Sequence, residues 1–207
     1  MVMVVTDRAR YESPDSLIAA ARAAARAGVD LIQVRERGLE DGDLVRLVRD
    51  MKQATKGSSC RTVVNDRVDV AVAADADGAH LPARAYAAAS VRAWVGDGFL
   101  IGRSVHSEAE ARSAVEAGGC DYLIFGTVFP SASKPDGHAP AGIDALRRVC
   151  ASVPLPVLAI GGITVPRLPE VVAAGAAGIA AIGLFATPDE AALTDTVRSV
   201  RAAFSGR

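Results

Sequence analysis

The sequence has few aromatic residues, no long hydrophobic run and almost no net charge. Only 4% of its 207 residues are Phe, Trp or Tyr, so a core has to be assembled from Ala, Val, Leu and Ile. Lys and Arg number 23 against 24 Asp and Glu, for a net charge of −1. A general nucleic-acid binder needs a basic excess, so that class is excluded, although a local basic pocket is not. Three cysteines, Cys60, Cys120 and Cys150, show no C-x-x-C or other metal-ligand spacing, and fit a reduced, cytoplasmic protein. The N-terminus meets charge after a short apolar run, which predicts neither a signal peptide nor a membrane span, and so no membrane partner. What is present is a chain that is 50% hydrophobic, which excludes disorder. Its length is below the roughly 250–300 residues at which chains split, so one domain over 1–207 is expected.

A single rhythm runs from end to end. Strands are expected at Val2–Thr6, Asp30–Arg35, Arg61–Val64, Gly78–Leu81, Phe99–Gly102, Tyr122–Gly126, Val157–Ile160 and Gly178–Ile182. Helices are expected at Pro14–Ala27, Asp43–Thr55, Val68–Ala74, Ala87–Val95, Glu108–Ala117, Ile143–Val149, Pro166–Ala174 and Asp189–Phe204. Near-continuous apolar strands such as Val157-Leu-Ala-Ile read as buried on both faces, as in parallel sheets. Ser13–Pro14 and Thr187–Pro188 read as helix starts. A weak repeat marks the helix ends: Ala27-Gly-Val-Asp-Leu, Ala117-Gly-Gly-Cys-Asp-Tyr and Ala174-Gly-Ala-Ala-Gly-Ile. Eight βα units in this length predict an α/β fold, a compact (β/α)8 TIM barrel. An open doubly wound sheet is second, because Thr6-Asp-Arg-Ala-Arg stands where its glycine-rich fingerprint belongs.

In a barrel the chemistry sits at the C-terminal ends of the strands. After strand 2, alternation puts Gln33, Arg35 and Arg37 on one face, with Val34 and Glu36 on the other. Two guanidiniums and an amide suit a phosphate or pyrophosphate; an outward salt-bridge network with Glu36, Asp7 or Asp66 is the alternative. After strand 3 come Asn65 and Asp66, the latter a site acid or an N-cap. After strand 5 come Ser104 and His106, a site pair or loop residues, while Ser107 with Glu110 reads as a capping box. Gly161-Gly162 after strand 7 and Ile182-Gly183 after strand 8 match the usual barrel phosphate site, or simply permit tight turns. The chain has only three Lys; Lys134 stands alone in the long loop Pro130–Ala141, together with His138. An anion clamp and a proton-transfer group are the functional readings there, solvated loop-tip residues the plain ones.

Six segments in order carry a family resemblance: Gln33-Val-Arg-Glu-Arg37, Val64-Asn-Asp-Arg-Val-Asp-Val-Ala71, Asp77-Gly-Ala-His-Leu-Pro82, Ile101-Gly-Arg-Ser-Val-His106, Asp121-Tyr-Leu-Ile-Phe-Gly-Thr-Val-Phe-Pro130 and Ala159-Ile-Gly-Gly-Ile-Thr164. Together they resemble the thiamine-phosphate synthase/TenI superfamily of (β/α)8 barrels. The synthase branch joins hydroxymethylpyrimidine pyrophosphate to thiazole phosphate with Mg2+. By this resemblance Gln33, Arg35, Asn65, Ser104 and Lys134 hold the pyrimidine substrate and pyrophosphate, Asp66 binds Mg2+, and Gly161, Gly162 and Gly183 hold the thiazole phosphate. The second Mg2+-binding acid of the synthase is missing, since no carboxylate lies between Asp77 and Asp97. Arg37 also replaces the usual lysine. Both departures resemble TenI, the thiazole tautomerase, which needs no cofactor. The resemblance therefore implies a TenI-like tautomerase acting on thiazole phosphate, with the Mg2+-dependent synthase as the alternative and a non-catalytic thiazole-phosphate or thiamine-phosphate binder third. Thr127 stands where the tautomerase has its acid/base histidine, so either His138 or His106 takes that role or the activity is absent; Arg35 and Thr127 complete the expected catalytic set. A homodimer through apolar helix faces is a further expectation.

Overall fold

The computed structural model describes residues 1–131, 139–187 and 189–206. Eight parallel strands follow one another around a closed barrel: β1 (Val2–Val5), β2 (Leu31–Val34), β3 (Arg61–Asn65), β4 (Gly78–Leu81), β5 (Leu100–Val105), β6 (Tyr122–Gly126), β7 (Val157–Ile160) and β8 (Gly178–Ala181). β1 pairs with both β2 and β8, so no strand among the described residues is left with an open edge. Between and after them run α1 (Pro14–Arg26), α2 (Asp41–Thr55), α3 (Val68–Ala73), α4 (Ala88–Val95), α5 (Glu108–Ala117), α6 (Ile143–Ser152), α7 (Leu168–Ala173) and α8 (Glu190–Phe204). This is the single-domain (β/α)8 architecture that the alternation of runs predicts. No helix among the described residues is long and apolar enough to cross a membrane.

Some boundaries differ from expectation. β5 continues to Val105, so Ser104 lies inside a strand rather than after it. β2 stops at Val34, so simple alternation does not carry through to Arg35 and Arg37. The last helix is capped by Asp189, whose carboxylate accepts from the Ala191 and Ala192 amides, not by Thr187. Ser13 caps α1 through a reciprocal box with Ser16, as the Ser-Pro start suggests. Around Ser107 the box is shifted. Ser107 Oγ accepts from the Glu110 amide, while the Glu110 carboxylate accepts from His106 N rather than from Ser107.

The interior is filled by side chains from alternate strand positions: Met3, Val5, Leu31, Val63, Tyr122, Ile124, Leu158 and Ala180. The outward positions meet the Ala, Val and Leu faces of the helices in a second, larger cluster. Inside, register aligns Asn65, His80, Gly102 and Tyr122 across four neighbouring strands. Gly102 has a packing reason to be glycine. A Cβ there would lie 2.1 Å from Tyr122 Cζ, so the phenol ring occupies the place of the missing side chain.

At the N-terminal end, two of the three helix-end repeats carry an aspartate, and Asp77 stands in the same place before β4. Asp30, Asp77 and Asp121 each precede a strand, and each carboxylate accepts from a backbone amide of a neighbouring strand: Val2 N at 2.7 Å, Thr62 N at 2.7 Å and Ile101 N at 2.6 Å. Each also meets a cation from a helix, namely Arg201 at 2.6 Å, Lys52 at 3.4 Å and Arg92 at 2.7 Å. Charge-assisted clips of this kind tie strand register to helix position. Asp121→Ala leaves the Ile101 amide without its carboxylate. It is expected to lower unfolding free energy by about 1–3 kcal/mol in chemical denaturation, with ligand binding at the opposite end unchanged.

Candidate active site

The C-terminal end of the barrel is polar where the rest of its interior is not. From β2, Gln33 points inward, is 3% exposed, and donates through Nε2 to Asn65 Oδ1 at 2.8 Å. Asn65 ends β3, and Asp66 follows in the left-handed region with φ 67°. An Asp tolerates that conformation better than most residues. The N-cap alternative for Asp66 fails: Arg67 occupies the cap position of α3, and no side chain caps that helix. Arg67 is bound by Asp69 at 2.6 Å and Asp41 at 2.5 Å. Those pairings hold Asp41 and Asp69 below the usual carboxylate range. Asp66 is exposed at the mouth and forms no ion pair among the described residues.

Arg35 and Arg37 lie beside this pair. Arg35 is half-buried and its amide donates to Thr6 Oγ1 at 2.9 Å. Burial first, and then the Arg37 guanidinium, push Arg35 below its ordinary value. Two cations close enough to repel across the mouth are a standing attraction for an anion. The expected alternative, a salt-bridge network with Glu36, Asp7 or Asp66, does not form among the described residues. Glu36 instead accepts from the Arg8 amide at 3.0 Å, and Asp7 pairs with Arg10 at 3.2 Å.

β4 and β5 supply the next two groups. His80 is 2% exposed, its Nε2 lies 2.8 Å from Ser104 Oγ, and its ring stacks on Tyr122 with centroids 5.8 Å apart. Burial, and then Arg103, push the His80 imidazole down to about 3, so it is neutral at physiological pH. Arg103 points outward from β5. Its guanidinium donates to the backbone carbonyls of Tyr86 at 2.8 Å, Ala83 at 2.9 Å and Ala85 at 3.5 Å. The β4–α4 loop is thus held by a cation where the resemblance to the synthase calls for an acid.

The far wall is built from β6, β7 and β8. Thr127 is buried, and a Cβ on Gly161 would come within 2.3 Å of its Cγ2. A Cβ on Gly162 would come within 2.3 Å of the Pro130 carbonyl oxygen. With φ of 99° and 63°, both positions are glycine for conformation as well as space. Glycine turns of this kind present main-chain amides to the anion in barrel phosphate sites. Arg167 donates to Gly162 O at 3.1 Å and lies over the Phe129 ring at 4.3 Å, holding the turn from behind. Ile182 and Gly183 follow β8, where Arg10 Nη1 would sit 3.8 Å from a Cβ on Gly183. His106 is exposed next to this wall, with Nδ1 2.6 Å from Gly126 O; since a carbonyl only accepts, Nδ1 carries the hydrogen and Nε2 is unprotonated in the neutral ring. Lys134 and His138 lie outside the described residues.

Thus Gln33, Asn65, Asp66, Arg35, Arg37, Ser104, Gly161, Gly162, Ile182 and Gly183 all lie on the C-terminal ends of strands or the loops that follow them. Arg10 and Arg167 were not singled out from sequence, and His80 and Arg103 were seen only as parts of motifs. The alternation Gly78-Ala-His-Leu offered a signal for His80, since it puts that residue on the same face as Gly78. Nothing local marks Arg10 or Arg167.

The fold is a (β/α)8 barrel whose polar mouth carries two arginines without an ion-pair partner among the described residues. The family described as thiamine monophosphate synthase matches residues 2–185. A thiamine-phosphate synthase from Methanoculleus marisnigri is 42% identical over 182 residues, covering 87% of this chain and 84% of the relative. Another, from Roseiflexus castenholzii, is 38% identical over 203 residues, covering 98% and 88%. The solved structure of a thiamine phosphate pyrophosphorylase from Pyrococcus furiosus superposes with a TM-score of 0.83 at 31% identity, covering 99% of this chain and 95% of that one. The chain belongs to the thiamine-phosphate synthase/TenI superfamily.

Gly162→Ala meets both a left-handed φ and the Pro130 carbonyl. The substitution is expected to cost more than about 1 kcal/mol, read as a lowered melting temperature, and to weaken retention of inorganic phosphate in the same sample.

Proposed function

We propose that this protein is a thiamine-phosphate synthase, joining hydroxymethylpyrimidine pyrophosphate to thiazole phosphate with release of pyrophosphate. The carrying observation is Asp66, an exposed carboxylate released from helix capping and ion pairing, directly after the Gln33–Asn65 hydrogen bond. The names of relatives at 37–42% identity support this reading over the tautomerase.

Family membership implies Mg2+. The donor set contains one uncommitted carboxylate, and no cluster of three or more His, Cys, Asp or Glu occurs among the described residues. That fits a cation that arrives on a diphosphate, because Mg2+ commonly takes one or two carboxylates plus phosphate oxygens. It does not fit a cage made by protein alone. Asp66 would hold the ion, which when bound neutralises charge on the leaving diphosphate.

The protein's own groups do the rest. Gln33 and Ser104 orient the pyrimidine through its polar edge. Arg35, Arg37 and Lys134 receive the diphosphate, and their charge favours its departure. The Gly161-Gly162 and Ile182-Gly183 turns hold the thiazole phosphate on the opposite wall. This places the thiazole nitrogen against the methylene carbon as the diphosphate leaves, so that positioning supplies much of the acceleration. Cys60 and Cys120, which form no disulfide among the described residues, accord with a reducing, cytoplasmic setting.

A second reading has one observation in its favour. Arg103 occupies the carbonyls of the loop that lacks the second acid, which suits metal-independent chemistry on the thiazole alone. A tautomerase then needs a base. Buried Thr127 is a hydroxyl and supplies no imidazole, whereas the Gly126 contact of His106 Nδ1 leaves its Nε2 lone pair facing outward from that bond.

One assay separates the two readings. With both substrate sets, thiamine phosphate is expected to form only when Mg2+ is present, and Asp66→Ala is expected to lower kcat/KM about 100-fold or more. Tautomer conversion in EDTA, lost in His106→Ala and kept in Asp66→Ala, would instead establish the second reading.

A further inference from the structure

His80 is buried and titratable, and no step above uses it. Nothing exposes it to a substrate, yet it touches a residue that faces one. Its Nε2 lies 2.8 Å from Ser104 Oγ. Its Nδ1 is fully buried and has no partner among the described residues. Its ring is fixed against Tyr122, at an interplanar angle of 29°. Tyr122 in turn fills the space over Gly102, the residue between His80 and Tyr122 in the strand register.

The unpartnered Nδ1 decides which way the hydrogen bond runs. If Ser104 donated to Nε2, the neutral ring would carry its hydrogen on Nδ1, as a buried N–H without an acceptor. Orphaned buried N–H groups are the rarest kind, and orphaned acceptors are better tolerated. A doubly protonated ring would have the same orphan. The remaining arrangement has Nε2–H donating to Ser104 Oγ. A hydroxyl that accepts from below still has its own hydrogen to donate.

We propose that His80 is a positioning residue: by donating from Nε2 it orients the Ser104 hydroxyl so that its hydrogen points to the mouth and meets an acceptor atom on the substrate ring. The inference rests on the reading of Ser104 as a substrate contact. It adds that this contact offers the hydroxyl hydrogen to an acceptor on the substrate, such as a ring nitrogen.

The test has a spectroscopic arm independent of turnover. Long-range 1H–15N correlation on the ligand-free protein is expected to show a protonated, pyrrole-type Nε2 and a bare, pyridine-type Nδ1 on His80. A protonated Nδ1 overturns the proposal, whatever the enzyme's activity. In the kinetic arm, His80→Gln keeps a donor near Nε2 and is expected to stay within a few-fold of the parent. His80→Leu is expected to lower kcat/KM of the pyrimidine substrate about five- to tenfold, the scale of one hydrogen bond. It should leave KM for thiazole phosphate unchanged. In Ser104→Ala the His80→Leu change should add nothing further; two losses that simply multiply overturn the proposal. If Ser104→Ala itself has no effect, the substrate contact at Ser104 fails and the proposed role falls with it, while the tautomer result still reports the hydrogen bond separately.

Discussion

A closed eight-stranded barrel must fill its own interior, and here that requirement falls on one large side chain. The Tyr122 ring reaches across the space left by Gly102 and comes to rest against His80. In a chain with 4% aromatic residues this contact has no substitute nearby. It sets the floor of the mouth, because the ring stacked on Tyr122 also touches Ser104, and the same register layer ends in Asn65, the partner of Gln33. Packing below thus determines where the polar groups above can be, which is how a rigid scaffold gives precision to a site.

The two ends of the barrel solve different problems. At the N-terminal end, Asp30, Asp77 and Asp121 bind amides of adjoining strands and cations of the surrounding helices. The charges there are spent on one another. At the mouth, Arg35 and Arg37 have no acidic partner among the described residues, and Asp66 is equally uncommitted. The near-zero net charge of the chain conceals this division between a neutralised base and a mouth with charge to offer.

Much of this was legible beforehand. Eight strands and eight helices follow from apolar runs alternating with Ala-rich periodic stretches, because each unit obeys local rules of period and capping. Boundaries were missed where tertiary pairing extended or ended a strand, as with β5 running on to Val105 and β2 stopping at Val34. Site residues on short turns, such as Gly161-Gly162, were readable because the turn itself demands them. Arg103 and Arg167 were not, because each acts on backbone oxygens of a segment it reaches only after folding. The release of Asp66 from helix capping was likewise undecidable without the φ of 67° and the position of Arg67. The branch of the superfamily turned on absences, a missing acid and a threonine for histidine, and these pointed toward the tautomerase. The named relatives point toward the synthase.

Arg103 grips the loop after β4 through carbonyl oxygens of Ala83, Ala85 and Tyr86, and through no side chain. Every residue type but none in particular supplies such an oxygen. The loop's shape is consequently insulated from its own spelling: its letters can be rewritten, an acid gained or lost, while the rim of the mouth keeps its outline.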